Sequence, residues 1–225
     1  MGCPNVTLPL RAAQPYRARM RVGLISDTHL PSLMRSLDQM GPQVADFLSS
    51  VELILHAGDV VTPSILDWCE QYAPLVAARG NHDAFDDRRI ERRQVLDIEG
   101  WRIAMVHDLR PEDRPMDLII ERDFADVLPQ IIIGGDTHVD RLEYRDGILL
   151  INSGSPNLPH HKETRLGTVA LLDLAPGRLH AEVLVLGHTE GAPNPGLARH
   201  IEIDDGRIIS ASRDGESLEV PDPVD

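Results

Sequence analysis

Apolar runs and polar stops follow one another regularly along the first third of the chain. "RVGLIS" (21–26) is apolar at most positions and reads as a buried strand that ends in "DTH". "GPQVADFLSS" has helical spacing, with Val44, Phe47 and Leu48 on one face. "ELILHAGD" (52–59) reads as a second strand. "TPSILDWCEQY" places Thr62 at a helix N-cap and Pro63 at the first helical position. "PLVAARGNHD" is a third strand running into a loop. A β-α-β-α-β order over the first 83 residues predicts a parallel sheet.

The pattern then changes. "RQVLDIEGWRIAMVHD" predicts two strands about Gly100, "EDRPMDLIIERDFAD" a helix with a proline near its start, and "QIIIGGDTH" another buried strand. "RLEYRDGILLIN" predicts a hairpin about Asp146-Gly147, and "GTVALLDLAPGRLHAEVLVL" a hairpin turning at "APGR". The charged stretch "DAFDDRRIERR" (83–93) reads as a solvated helical face. From residue 187 turn formers dominate in "GHTEGAPNPG", and "HIEIDDGRIIS" has the pattern of one more hairpin. "RDGESLEVPDPVD" is acidic and proline-bearing and is expected to be disordered. The expected organisation is an N-terminal extension (1–19), a domain over 20–186, and a partly disordered C-terminal extension (187–225). Mixed strands flanked by helices predict an α/β fold of two packed sheets with helices outside.

Composition narrows the function. With three Phe, two Trp and three Tyr in 225 residues, Leu, Ile, Val and Ala must supply the packing. A formal charge of −14 argues against nonspecific nucleic-acid binding. It does not exclude an anionic substrate, because a bound cation reverses the local sign. Cys3 and Cys69 make no disulfide framework and suit a reducing cytoplasm. "MGCPNVTLPLRAAQPYRAR" lacks the apolar core of a signal peptide, and Val6 departs from the myristoylation pattern. No apolar run approaches the roughly 18 residues of a membrane span. A cytoplasmic protein without membrane contact is expected.

The chemistry sits where apolar runs stop. Asp27 and His29 follow the first strand, Asp59 the second, and Asn81, His82 and Asp83 the third. His107 follows "RIAMV", and Asp136 and His138 follow "QIII". Ligands of α/β sheets bind outside the carboxyl ends of strands, so these donors are expected to converge. Imidazole with carboxylate, and no thiolate, suits Mn, Zn, Fe or Ni. Singly, each residue has a plainer reading. "GD" and "GNHD" are turn formers, and a lone His107 reads as a hydrogen-bonded core residue. Recurrence at five strand ends is what points to a site. His56 reads as packed at a strand end, His160 and His161 as a solvated loop near the site, and Arg88 and Arg89 as part of the solvated face, with contact to substrate phosphate as the alternative.

The series "DTH" … "GD" … "GNHD" … "VHD" … "GDTH" resembles the calcineurin-like metallophosphoesterase signature, D-x-H, G-D, G-N-H-[DE], a lone His, then G-H-x-H. The spacing and the later "INSGSPNLP … GTVALLDL" resemble the small single-domain prokaryotic phosphodiesterases of the YfcE type. Those read N-P-G-S where this chain has Asn152, Ser153, Gly154 and Ser155. The resemblance covers residues 20 to about 186. It implies a four-layer αββα sandwich with two mixed β-sheets packed face to face. It also implies two divalent metal ions, with Mn favoured and Mg, Fe, Zn or Ni accommodated. Asp27, His29 and His138 would hold the first, Asp59 would bridge, and Asn81 and His107 would hold the second. Asp136 stands where the family carries the remaining histidine. His82 matches the histidine that assists the leaving group, a position where many small relatives carry Cys. The implied substrate is a small phosphate ester, with diesters favoured over monoesters or nucleotides, and a homo-oligomer is compatible with the sequence. The alternative is a noncatalytic protein-interaction scaffold, since the retromer scaffold subunit resembles the same fold. His82 weighs against it; Asp136 keeps it open.

Overall fold

Strand parity sorts the side chains into three cores. The computed structural model describes residues 19–30, 35–161 and 163–220. In β1 (Met20–Ile25), Val22 and Leu24 enter one core and Ile25 another. In β7 (Ile131–Gly134) and β9 (Ile148–Ser153), Ile131, Ile133, Leu149 and Ile151 join the first core, while Ile132 and Leu150 enter the third. Alternate residues of a strand face opposite sides of its sheet, so the sequence pattern alone requires both faces to be covered.

The large sheet contains, besides β1, the strands β2 (Leu53–His56), β3 (Leu75–Ala78), β4 (Ile90–Glu91), β10 (Thr168–Ala175), β11 (Arg178–Val185), β12 (Arg199–Asp204), β13 (Arg207–Arg213) and β14 (Glu216–Ser217). Their order is β14-β13-β12-β11-β10-β1-β2-β3-β4, with β1 to β4 parallel. The smaller sheet adds β5 (Arg93–Ile98), β6 (Trp101–Val106) and β8 (Asp140–Arg145), in the order β5-β6-β7-β9-β8, with β6, β7 and β9 parallel. The first core lies between the sheets. Helices α1 (Gly41–Ser49) and α2 (Pro63–Glu70) close the second core over the large sheet through Val44, Leu48, Ile65 and Leu66. Helix α3 (Met116–Phe124) closes the third through Met116, Ile119 and Phe124. This is the expected four-layer αββα sandwich. Truncating a fully buried intersheet residue such as Ile133 to Ala costs roughly 2–5 kcal/mol.

Several elements depart from expectation. The stretch 83–93 is not a helical face. It runs as turns into β4, which pairs parallel with β3 and buries Ile90. The cause is Arg89, whose guanidinium is tied to Asp67, Glu70 and Asp87 and is therefore not a substrate contact. Arg88 is exposed and faces Glu70. Thr62 occupies the N-cap of α2 without a side-chain capping bond. The expected C-terminal hairpin forms as β12 and β13, and Glu216–Ser217, within the stretch expected to be disordered, pairs with β13 as β14. Residues 1–18 of the expected N-terminal extension, Cys3 among them, and 221–225 of the expected tail lie outside the described residues. Among the described residues no helix is long and apolar enough to cross a membrane.

Candidate metal centre

The loops at the strand ends are held in a conformation that side chains usually avoid. Asp27, His29, Asp59, Asp136 and His138 all have positive φ, between 47° and 65°. Such backbone is uncommon outside glycine and persists only where the surroundings enforce it. Here cross-loop hydrogen bonds enforce it. Asp27 N–H donates to Gly58 O (2.9 Å), His29 N–H to Asp59 O (3.1 Å) and Gly135 N–H to His107 O (2.9 Å). Ser155 Oγ donates to Asp27 O at 2.8 Å. Asp83 is a brace: its buried carboxylate accepts the backbone N–H groups of Asp59 (3.1 Å), Val61 (2.7 Å) and Gly80 (2.7 Å). A side chain on Gly80 would place its Cβ 2.2 Å from Asp59 N, so glycine is required for these loops to meet. Asn152 Nδ2 donates to Gly135 O (2.9 Å) and Thr137 Oγ1 (3.1 Å), fixing the "GDTH" loop.

The side chains these loops carry converge. His29 Nε2 lies 3.1 Å from His138 Nε2 and 3.4 Å from Asp59 Oδ2. Asp27 Oδ1 is 3.5 Å from His138 Nε2. On the other side of Asp59, Oδ1 is 3.4 Å from His107 Nε2, which is also 3.1 Å from Asn81 Oδ1 and 3.5 Å from Asp136 Oδ1. Three triads at this centre, Asp27–His29–His138, Asp27–Asp59–His107 and His29–Asp59–His82, each bring their ligand atoms within 4.8 Å of one another.

The donor set fits a cation. His138 Nδ1–H donates to Leu158 O (2.8 Å) and His107 Nδ1–H to Ala57 O (2.8 Å). Each neutral ring is thereby left with a lone pair on Nε2, aimed at other acceptors. Acceptors facing acceptors in a buried site require positive charge between them. Burial pushes Asp27 up to about 7, opposed mainly by His107. Burial works to lower His107, but hydrogen bonds with Asp136 and Asp59 and the charge of Asp27 outweigh it and raise it to about 11. Burial also works to raise Asp59, yet the hydrogen bond and charge of His107 outweigh it and hold the group at about 2. Burial lowers His29, and lowers His138 to about 4. In the metal-free chain the His107 proton supplies the positive charge that a metal ion would bring.

Asp27, His29, Asp59, Asn81, His107 and His138 thus come together as expected, and Asp136 adjoins His107. His82 stands at the rim, 58% exposed, with Nε2 3.9 Å from Asp59 Oδ2. His56 faces away: it accepts Gly58 N–H (3.1 Å), pairs with Thr28 Oγ1 (3.2 Å) and is lowered by burial to about 4. Leu158, His161 and Arg110, beyond the expected set, also line the 520 Å³ cavity over the cluster. His161 is exposed, as expected of a solvated loop near the site, and its ring lies tilted against His138 with centres 3.6 Å apart. Arg110 pairs with Asp136, its Nε 2.5 Å from Oδ2. Only its place three residues beyond His107 in "VHDLRP" could have pointed to it.

A two-sheet α/β sandwich with imidazole and carboxylate converging at its strand ends defines a metal-binding protein with a solvent-open centre. Residues 20–177 match the calcineurin-like phosphoesterase superfamily domain, and the chain belongs to that family of metal-dependent phosphoric ester hydrolases. It is 32% identical over 169 residues to a probable metallophosphoesterase of Methanothermobacter thermautotrophicus, covering 75% of this chain and 94% of that protein. It is 23% identical over 150 residues to a phosphodiesterase of Methanocaldococcus jannaschii, covering 60% of this chain and 83% of that one. The fold is shared with Vacuolar Protein Sorting 29 of Cryptosporidium parvum (TM-score 0.68, 19% identity, 84% of this chain and 100% of that one).

Proposed function

We propose that the chain is a dinuclear metal-dependent phosphodiesterase. The observation that carries this reading is the position of Asp59. Its two carboxylate oxygens lie 3.4 Å from imidazoles on opposite sides, Oδ2 from His29 and Oδ1 from His107. A carboxylate that faces two ligand sets suits a bridge between two cations. Divalent ions held there would supply a water acidified to a nucleophile and neutralise charge on the phosphoryl oxygens.

The chain's own residues do the rest. Asp27, His29 and His138 make one ligand set; Asn81, His107 and Asp136 make the other, with Asp59 between. The Nδ1–H bonds of His138 and His107 to carbonyls orient their Nε2 atoms inward. His82 is outside both sets and open to the cavity, where a general acid can meet the departing oxygen. Oxygen ligands at Asn81 and Asp136 favour Mn²⁺ or Mg²⁺ over softer ions. The diester preference is supported by the name of the Methanocaldococcus relative and by three carboxylates at the site, which repel a monoester dianion more than a diester monoanion. A noncatalytic scaffold of this fold would leave His82 without a use. The buried thiol of Cys69 fits a reducing cytoplasm.

The test is hydrolysis of bis(p-nitrophenyl) phosphate and p-nitrophenyl phosphate by Mn²⁺-loaded protein and by Asp59→Asn. The expected result is faster diester turnover and near-complete loss in the variant. Full activity of Asp59→Asn with metal still bound would refute the bridging role.

A further inference from the structure

Beside the metal-centre cavity, and sharing Asn81 with it, lies a second cavity of about 690 Å³. Arg79, Arg92, Arg93 and Arg122 line it together with His107. In a chain with 22 basic against 36 acidic residues, four arginines around one hollow are an anomaly. Asp108 and Asp123 also line it, which leaves 4 − 2 = +2 with His107 neutral.

The guanidinium groups of Arg79 and Arg122 are built in, whereas Arg92 is exposed. Arg79 Nη1 donates to the carbonyls of Asp83 (3.0 Å) and Phe85 (2.6 Å). Arg122 donates to the carbonyls of Arg110 (2.8 Å) and Asp108 (3.1 Å), and to Asp123 Oδ1 (3.0 Å). Bonds to carbonyls orient a guanidinium without cancelling its charge. Arg93 is forked onto Asp126, and Arg79 also meets Asp86, but both carboxylates are on the solvent side, where water and salt screen them. Arg92 makes no hydrogen bond or ion pair with any described residue. A cavity of this size accepts a sugar- or nucleoside-sized group, and arginine forks match phosphate geometry.

We propose that this cavity is the subsite for a second phosphate of the substrate, held by Arg92 and Arg122 while the scissile ester sits at the metal centre. The substrate class is then a phosphate ester carrying a further phosphate about one sugar away. The proposal rests on the phosphodiesterase reading for the placement of the scissile ester, but the cavity's affinity for phosphate does not depend on turnover.

Two paired measurements test it. Thymidine 5′-(p-nitrophenyl phosphate), with and without a 3′-phosphate, offers the same scissile bond and leaving group. Calorimetry of the Mn²⁺-loaded protein with thymidine 3′,5′-bisphosphate and with thymidine 5′-monophosphate reads binding without hydrolysis. The expected result is a preference of about tenfold or more for the bis-phosphorylated member of each pair. In Arg92→Gln both preferences should fall to within about twofold of unity. Equal values within each pair for the unaltered protein, or an undiminished preference in Arg92→Gln, would overturn the subsite. A binding preference with neither ester hydrolysed would keep the subsite and remove the phosphodiesterase reading. Hydrolysis of both esters at equal efficiency, with equal binding, would do the reverse.

Discussion

Asp136 turns one carboxylate oxygen to Arg110 and the other to the ligand cluster: Oδ2 lies 2.5 Å from Arg110 Nε and Oδ1 3.5 Å from His107 Nε2. The Arg110 contact is a close ion pair rather than an aligned hydrogen bond, since Oδ2 is otherwise unpartnered. Read from sequence alone, aspartate in place of histidine costs the centre one unit of positive charge. Arg110 offsets it only in part, since Asp108 shares the guanidinium: Asp27, Asp59, Asp136 and Asp108 with Arg110 give −4 + 1 = −3. Asp108 grips the Nε and Nη2 edge of Arg110 (3.1 and 3.4 Å), and the half-exposed Arg110 lines the cavity.

Arg110→Gln should therefore weaken inhibition by inorganic phosphate by about tenfold, the worth of one charged hydrogen bond. Metal content should stay unchanged. Asp136→His should keep the metals, shift the pH–rate profile to lower pH and raise monoester turnover relative to diester. Loss of metal in Arg110→Gln would show that the arginine serves only to hold Asp136.

His82→Ala should retain bound metal and slow turnover by roughly 10²–10⁴. The loss should be smaller for a nitrophenyl ester than for an alkyl ester, because nitrophenolate departs with little need of a proton. Elemental analysis beside rate measurements checks both halves. A parallel fall in metal content would make His82 a ligand.

Metal affinity should rise with pH, and the steepness should change near neutrality. Asp27 is raised to about 7 and His107 to about 11, whereas both must be deprotonated to bind a cation. Metal entry then displaces about two protons between pH 5 and 7 and about one above 7. Competition against a chelator at several pH values reads the slope. In metal-free protein both raised values favour the folded state at low pH. That contribution should be lost as pH rises, through Asp27 between about 4 and 7 and through His107 between about 6.5 and 11. Between about 4 and 6.5 the lowered His29, His56 and His138 work in the opposite direction, so thermal melts in chelator read the sign above about 7, where melts that rise with pH would contradict it.

Asp83→Ala strips the acceptor from the buried backbone N–H groups of Asp59 and Gly80 and the half-buried one of Val61. Each unsatisfied donor costs roughly 1–3 kcal/mol, so denaturant melts should show a loss of several kcal/mol. A change below about 1 kcal/mol would mean that water replaces the carboxylate.

The strands of both sheets were legible as apolar runs with polar stops, and in the fold Ile131 and Ile133 face one core and Ile132 another. The ligand cluster was legible because each member ends an apolar run. The pattern says nothing about 83–93, where Arg89 is held by Asp67 and Glu70 from a helix some twenty residues earlier. Arg110, Arg79, Arg92 and Arg122 were not legible as a group either. Arg79, Arg92 and Arg110 come from separate loops and Arg122 from α3, and only the fold brings them to the two cavities that share Asn81. Likewise, His161 reads as loop until its ring is seen against His138.

The central claim is a two-cation centre that hydrolyses phosphodiesters, and its most direct test is a titration of metal-free protein with Mn²⁺ while following bis(p-nitrophenyl) phosphate hydrolysis. The proposed centre requires activity to rise and level off at about two equivalents of Mn²⁺ per chain, one for each ligand set beside Asp59. A plateau at one equivalent, or no hydrolysis at saturating metal, would contradict it.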